Sequence, residues 1–185
     1  MFSVILHAMS ESLATRLMRW GFNLHPTYWS TGARVTYIAH DWTEVRVQLP
    51  LSWRTRNYVG TMFGGAMYSA VDPFYMIMLI KQLGPAYTVW DRAAAIRFRQ
   101  PARTTLTARF VVDPGTIAEI RDALTAAPKL DRAFTVELTT GDGTVCAVVE
   151  KTVHVSRRAS TETDRGGGQR TATDGTDGAG AEPSS

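Results

Sequence analysis

The longest apolar segment of the chain, residues 65–83, is the feature that most constrains its fold. It is too long for one strand and is apolar on nearly every side, and a helix of that kind is normally surrounded by other elements. Asp72 and Pro73 interrupt it, so we expect no membrane span. Pro73 should kink the helix or mark a join within it. The sequence therefore predicts a buried central helix that contains one carboxylate.

The rest of the chain is typical of one folded domain followed by a tail. Among 185 residues, 44% are hydrophobic and 20% are charged, which is enough apolar material for a single core. After residue 156 there are no large apolar side chains, so we expect a domain over 1–156 and a disordered tail over 157–185. The apolar N-terminus has no basic leader, so we interpret it as the start of the domain and not as a signal peptide.

Charge and cysteine content argue against several classes of function. The net charge is only +3, and no basic stripe with interleaved aromatic residues indicates a nucleic-acid partner. The single cysteine, Cys146, cannot form an intramolecular disulfide, so we expect a cytoplasmic protein. The four histidines lack a spacing suited to a metal ion. Ser69 lacks the glycine context of a serine hydrolase.

Two periodicities alternate along the domain. Helical spacing predicts a helix over 10–20, which Ser10 would cap and Gly21 would end. It predicts a second helix over 116–126, which begins with a capping box formed by Thr116 and Glu119. Period-two segments with β-branched residues predict strands. These strands are 33–40, 44–49, 86–100, 104–112, 133–140 and 144–156. The order α-ββ-α-ββ-α-ββ predicts an α+β protein with one mostly antiparallel six-stranded sheet wrapped around the apolar helix.

Two glycines at the start of the apolar helix define a candidate site. Gly64 and Gly65 stand where a loop becomes a helix, so the free N–H groups of the first turn are unobstructed. With the helix dipole they would bind an anion or a carbonyl oxygen. Asp72 lies about two turns further on and could reach the corresponding helix end of a second subunit. The residues equally allow a structural interpretation, in which the glycines permit close packing and Asp72 caps a segment that starts at Pro73.

The stretch NYVGTMFGGAMYSAVDPF, residues 57–74, resembles the active-site region of hotdog-fold acyl-CoA thioesterases of the phenylacetate-pathway type. The matching positions are Asn57, Gly60, Gly64, Gly65 and Asp72. The order of helices and strands over residues 10–155 is similar too. This resemblance implies the hotdog fold, in which a sheet wraps around a central helix.

The chain is even more similar to an uncharacterised hotdog-like branch, a domain of unknown function. In that branch the loop reads Phe-Gly-Gly, as it does from Phe63 here, and an Asp-Pro pair follows, as at Asp72 and Pro73. A Trp-Asp pair then precedes a strand, as at Trp90 and Asp91. The thioesterase pattern has histidine where this chain has Phe63, so the polar role of that ring is absent. A hydratase is not expected, because no histidine follows Asp72.

The resemblance also implies the roles of individual residues. Gly64 or Gly65 would donate a backbone N–H to the thioester carbonyl, and Asp72 would act as general base or nucleophile. Asn57 would orient water or the substrate carbonyl. The site would lie between the subunits of a dimer or tetramer. The substrate would be acyl-CoA or a related acyl thioester, with coenzyme A as part of the substrate and no separate cofactor.

Several further side chains are candidates for contact with the substrate. Arg54 and Arg56 could meet the phosphates of coenzyme A. The full set of substrate-binding candidates is Phe63, Met62, Gly60, Arg54, Arg56, Arg97 and Arg103. Two alternatives to hydrolysis remain open. One is a non-catalytic acyl-ligand-binding protein, and the other is a structural dimer whose pocket is filled by its own Phe and Met side chains.

Overall fold

The structure of the protein, a computed structural model, describes residues 11–158. Its helices are α1 (Leu13–Leu24), α2 (Pro26–Ser30), α3 (Gly64–Val71), α4 (Phe74–Leu83) and α5 (Pro114–Ala126). Its strands are β1 (Arg34–Ile38), β2 (Glu44–Leu49), β3 (Tyr87–Phe98), β4 (Leu106–Val111), β5 (Lys129–Thr139) and β6 (Val145–Arg157). The predictions for the N-terminus and for most of the tail concern residues outside the described range.

The six strands form one antiparallel sheet in the order β1-β2-β4-β5-β6-β3. The expected α+β arrangement with a six-stranded antiparallel sheet is therefore confirmed. β1–β2 and β5–β6 are hairpins, but β3 and β4 are not neighbours. The connection over 99–105 carries the chain across the end of the sheet, which leaves β3 at one edge, paired with β6. Strand content is a local property, whereas strand order depends on packing across the whole domain.

The apolar segment forms two helices, as the position of Pro73 predicts. α3 ends at Val71, Asp72 is its C-cap, and α4 begins after Pro73. A proline ring lacks the N–H and clashes with the preceding turn, and here the helix breaks into two at that point. The inward side chains of both helices, including Phe74 and Met78, are fully buried against the sheet. Each such side chain contributes about 1.5–3 kcal/mol through burial.

Two helix starts differ from the sequence prediction. α1 begins after Ser12, whose hydroxyl takes the capping role expected of Ser10, and it continues past Gly21. α5 begins after Asp113, whose carboxylate accepts the backbone N–H of Thr116 at 3.0 Å. Several oxygens near each start could cap it, and the one that reaches the free N–H groups is decided by local geometry.

β3 is unusually exposed for a strand of twelve residues. Within residues 11–158 only β6 pairs with it, and most of its side chains are exposed or half-buried. Its middle consists of three small residues, 93–95. A long edge strand presents unpaired N–H and C=O groups and is normally covered in native proteins. The described helices include none that is both long and apolar enough to cross a bilayer.

Candidate functional site

Asp72 lies at the junction of α3 and α4 and has a cationic partner. Its side chain is 45% exposed, so the carboxylate is not enclosed by the central helix. Lys151 Nζ lies 2.8 Å from Asp72 Oδ1 and 2.6 Å from the Asp72 carbonyl oxygen. The lysine therefore binds both the side chain and the backbone at the end of α3, where the carbonyl groups of a helix carry negative partial charge.

Lys151 is a wholly buried lysine on β6. It also donates to Asp91 Oδ2 on β3 at 2.7 Å. Together with the two oxygens of Asp72, this gives three acceptors for the three hydrogens of one ammonium group. Burial opposes the charge of Lys151, but the hydrogen bonds to Asp72 and Asp91 outweigh it, and its pKa is raised above the ordinary lysine value. Lys151 therefore stays protonated at neutral pH.

Sequence reasoning missed Lys151, although the sequence carries a signal for it. Val149, Lys151 and Val153 share one face of β6 because side chains alternate along a strand. A lysine in that row points into the core, where an unpaired charge is rarely tolerated. Such a lysine indicates a carboxylate opposite it, but only the folded chain identifies that carboxylate.

Asp91 and Tyr68 complete this group, which we call the lysine cluster: Tyr68, Asp72, Asp91 and Lys151. Asp91 Oδ1 is buried and has no hydrogen-bond partner among the described residues. Burial raises the pKa of Asp91, Lys151 opposes this, and the charge of Asp72 adds to the rise. Burial also raises the pKa of Tyr68, and its hydrogen bond to Asp72 adds to that effect. The cluster thus joins three elements: α3, β3 and β6.

A cavity of about 850 Å³ opens beside Asp72. α1 and α2 form one wall, and the α3–α4 junction forms the other. Its lining includes the apolar and aromatic side chains of Met18, Phe22 and Tyr28, and both Tyr68 and Asp72 face it. A mostly apolar cavity with a few polar groups is typical of small-molecule sites. The lysine cluster therefore meets the surface at a place where a ligand can bind.

Gly64 and Gly65 begin α3 as predicted but do not line that cavity. A Cβ on Gly65 would lie 2.4 Å from the Phe63 ring, and a Cβ on Gly64 would lie 2.6 Å from the Phe98 ring. Both rings remain more than half exposed. The glycines thus permit two aromatic rings to pack on the first helical turn, where no side chain caps the free N–H groups.

Asn57 folds the loop that leads to these glycines. Its Oδ1 accepts the backbone N–H groups of Val59 at 3.1 Å and Thr61 at 3.0 Å. Its Nδ2 donates to the Thr61 hydroxyl at 2.8 Å. Gly60 has φ +82°, a value that glycine adopts without strain. In this structure, Asn57 and Gly60 shape the turn, and the polar atoms of Asn57 are engaged within it.

The other loop residues predicted to bind substrate lie apart from Asp72. Met62 is buried in the core. Arg54 stacks on the Trp29 ring, with its guanidinium carbon 4.0 Å from the ring centroid, and it donates to the Trp29 carbonyl. Arg56 is exposed beside the loop. None of these three residues lines the cavity beside Asp72.

The two remaining predicted arginines are also separated from the lysine cluster. Arg97 pairs with Glu150 at 2.5 Å on the outer face of the sheet. Arg103 lines a groove of about 740 Å³ near the β5–β6 turn. Among residues 11–158, no group of three or more His, Cys, Asp or Glu side chains is placed to hold a metal ion.

The comparison with protein families gives one match over most of the chain. The family model described as "Domain of unknown function (DUF4442)" covers residues 14–155. The protein belongs to the DUF4442 family. A search of the curated proteins found no match.

Solved structures resemble this DUF4442 protein over nearly their whole length. PA5026 from Pseudomonas aeruginosa, described as a protein of unknown function and "Probable Thioesterase", has a TM-score of 0.69 at 18% identity and covers 82% of this chain and 99% of its own. Thioesterase HI1161 from Haemophilus influenzae has a TM-score of 0.59 at 13% identity and covers 84% of this chain and 97% of its own. A mutant of thioesterase PA1618 from P. aeruginosa has a TM-score of 0.58 at 12% identity and covers 81% of this chain and 97% of its own. At these identities the likeness establishes the fold, and the predicted hotdog fold is confirmed.

Proposed function

We propose that this DUF4442 protein hydrolyses an acyl thioester such as acyl-CoA, with Asp72 as the general base. The observation that carries the proposal is the place of Asp72, a half-exposed carboxylate on the wall of a largely apolar cavity of about 850 Å³. Such a cavity suits an acyl group, and a carboxylate beside it can activate water. The thioesterases that share this fold support the same reaction class.

In the proposed reaction, Asp72 removes a proton from water while the water oxygen attacks the thioester carbonyl carbon. The carbonyl electron pair moves to oxygen and gives a tetrahedral oxyanion, which the free N–H groups at the start of α3 stabilise. Collapse of this intermediate breaks the C–S bond and expels the thiolate. The proton held by Asp72 then passes to the sulfur, so the products are a carboxylic acid and a thiol.

This mechanism requires two subunits, because Gly64 and Asp72 lie at opposite ends of α3. At 1.5 Å per residue they are about 12 Å apart along the helix axis, so one α3 cannot bring both to the same carbonyl. We therefore place the site between two copies of the chain. The exposed edge of β3 supports this assignment, since a second β3 would satisfy its unpaired backbone groups.

The contacts of β3 also support the proposed arrangement. Phe98, the last residue of β3, packs on Gly64, and Asp91, seven residues earlier on the strand, is joined to Asp72 through Lys151. If two β3 strands pair antiparallel about residues 94 and 95, position 91 of one copy falls beside position 98 of the other. A two-fold pair would then bring Asp72 of one subunit toward the glycine turn of its partner. A dimer is the smallest assembly with this geometry, and a tetramer would be two such dimers.

The test is hydrolysis of short-, medium- and long-chain and aryl acyl-CoAs by the purified protein and by Asp72→Asn. We expect the parent to hydrolyse at least one class, and kcat of Asp72→Asn to fall by about 100-fold or more. Asp122→Asn, at an exposed position on α5, is the matched control and should retain parental kcat. Full activity in Asp72→Asn would contradict the proposal.

The substrate class and the single buried Cys146 are in keeping with a cytoplasmic protein.

A non-catalytic acyl-binding protein is the second candidate, because the rings of Phe63 and Phe98 cover the glycine turn. Such a protein would be inert on every thioester, yet acyl-CoA would raise its melting temperature. A ligand at 100 times its Kd stabilises the folded state by about 2.7 kcal/mol, which a thermal-shift measurement resolves. Stabilisation without turnover would favour binding over hydrolysis.

A further inference from the structure

We propose that Lys151 and Asp91 are positioning residues for Asp72: Lys151 fixes its carboxylate through Oδ1, and Asp91 competes for the same ammonium group. This inference rests on the proposed function and deepens it. It assigns roles to two residues on the sheet, whereas the proposed reaction uses groups on α3 and its first turn. Neither residue needs to touch the substrate, because both act through the orientation and charge of Asp72.

The geometry gives Lys151 control over the carboxylate. Its ammonium group binds the carbonyl oxygen and Oδ1 of Asp72 at 2.6 and 2.8 Å. Two bonds from one donor to the backbone and side chain of the same residue restrict rotation of that side chain. The anchor itself cannot swing away, since Lys151 is fully buried and also tied to Asp91. Oδ2 of Asp72 does not contact Lys151, and in this proposal it is the oxygen that receives the proton from water.

Stability alone does not account for a lysine at this place. Replacing a buried ion pair by apolar side chains of similar volume is often neutral or stabilising. The inward row of β6 otherwise holds apolar residues such as Val149 and Val153. A function carried out by the charge of Lys151 does account for it, and Asp72, which faces the cavity, is where that function would be used.

Asp91 and Asp72 compete for the ammonium group of Lys151. One ammonium group serves two carboxylates, and Asp91 Oδ1 has no partner within the described part of the chain. The carboxylate of Asp91 therefore shares the ammonium group that binds Asp72. Removing the charge of Asp91 leaves Lys151 to Asp72 alone and favours ionised Asp72. Removing Lys151 leaves the two carboxylates to repel each other, which favours protonated Asp72.

Among the described residues, the other ionisable groups that line the cavity with Asp72 include Tyr68, His25 and Lys81. Tyr68 faces it from α3 and stays neutral, because burial and its hydrogen bond to Asp72 raise the pKa of its hydroxyl. Across the cavity, His25 follows α1 and Lys81 projects from α4. Substitution of Asp91 or Lys151 leaves these three groups in place, so their effect is common to all variants compared.

The experiment measures kcat/KM against pH for the parent, Asp91→Asn and Lys151→Met with the acyl-CoA that the parent hydrolyses best. We expect the acid limb of Asp91→Asn to move to lower pH and that of Lys151→Met to higher pH, each by about 1 unit. We also expect kcat of Lys151→Met to fall by about 10- to 100-fold, since the carboxylate loses its anchor. Shifts of opposite sign from two neighbouring residues are not produced by a general loss of structure.

Glu150→Gln is the matched control, because Glu150 precedes Lys151 on β6 but lies on the outer face of the sheet, paired with Arg97. Its acid limb should coincide with that of the parent. Lys151→Met can fail to fold, since it leaves two carboxylates without their cation. The nearly isosteric Asp91→Asn then carries the test alone, and an acid limb that stays in place or rises in this variant overturns the inference.

A second readout separates this inference from the proposed function. The carboxyl ¹³C resonance of Asp72, assigned with Asp72→Asn, reports its titration without any substrate. If the parent is inert on thioesters, the proposed hydrolysis fails, yet opposite displacements of this titration in Asp91→Asn and Lys151→Met still support the positioning. If the parent is active and the titration is the same in all variants, the positioning role fails and the proposed function stands.

Discussion

Glu44 shows how single charged residues contribute to the stability of the sheet. Its side chain is only 9% exposed, and it accepts hydrogen bonds from Arg109 at 2.7 and 2.9 Å and from Arg46 at 2.6 Å. The bond from Arg109 outweighs the effect of burial and lowers the pKa of Glu44 to about 2. Because the pKa is lower in the folded state, Glu44 stabilises the protein above its unfolded pKa, and this stabilisation is lost as the pH falls toward 2.

We predict that Glu44→Gln lowers the free energy of unfolding by about 1–3 kcal/mol at pH 7. The difference between parent and variant should shrink as the pH falls from about 4.5 toward 2. Urea unfolding at several pH values measures it. Glu119→Gln is the control, since the Glu119–Arg132 pair is exposed and should change stability by less than about 0.5 kcal/mol. A difference that is constant with pH would contradict the role of the Glu44 charge.

Gly65 is the residue where packing and the proposed chemistry meet. A methyl group there would press on the Phe63 ring, but that ring is more than half exposed and can move aside. We predict that Gly65→Ala destabilises the fold by no more than about 1 kcal/mol. It should nevertheless lower kcat/KM by about tenfold or more, because a side chain then stands over the N–H groups proposed to bind the oxyanion. Parental kcat/KM in a folded Gly65→Ala protein would remove the glycine turn from the mechanism.

Among the elements, α1 combines a strong helical pattern with an unusual exposure. Leu13, Leu17 and Trp20 share a face, as the spacing predicts, yet these side chains are exposed. Helical periodicity identifies residues that lie together on a helix, but it does not identify what covers them. The helix also continues through Gly21, which the sequence indicated as its stop.

α1 provides a prediction at the scale of the element. A Cβ on Gly21 would meet no heavy atom within 4 Å, and its backbone is helical. Gly21→Ala should therefore stabilise the protein by about 0.5–1 kcal/mol, by reducing the entropy of the unfolded chain. Urea or thermal unfolding measures this change. The matched comparison is Gly60→Ala, where φ is +82° and the same substitution should destabilise. Equal effects at the two positions would contradict the assigned backbone conformations.

At the scale of the whole molecule, the long exposed edge of β3 is the property with the largest consequence for function. Its central residues are small and would allow a second strand to approach closely. We predict that the parent is a dimer or a tetramer and that Ala94→Asp, which places two like charges on adjacent strands beside the two-fold axis, shifts it to monomers. Analytical ultracentrifugation measures the masses, and Ala94→Asp should lose hydrolysis along with assembly.

The control for this change is Thr36→Asp, an exposed position on β1 at the opposite edge of the sheet. It should leave both assembly and activity at parental values. A monomeric parent that hydrolyses acyl-CoA would contradict the proposal that the site lies between subunits. Unchanged assembly in Ala94→Asp would show that the β3 edge is not the contact.

Short stretches of the amino-acid sequence are enough to predict the local features of this protein. The apolar helical segment, its interruption at Pro73, the glycines at its start and the number of strands follow from steric limits and periodicities within short stretches. These features were enough to predict an antiparallel sheet wrapped around a central helix and to single out Asp72, while the hotdog fold was implied by the resemblance of residues 57–74 to a known family. They were not enough to place the helix starts exactly at Ser12 and Asp113, since neighbouring oxygens compete for the same N–H groups.

The surroundings of Asp72, by contrast, depend on contacts between residues far apart in the sequence. Lys151 is 79 residues away in sequence and reaches Asp72 because β6 lies beneath the α3–α4 junction. β3 brings Asp91 to the same lysine and Phe98 to Gly64 because the sheet order leaves it at the edge. Periodicity fixes which face of an element a side chain occupies, whereas long-range pairing depends on strand order and register. The partners of a charge are therefore properties of the folded chain.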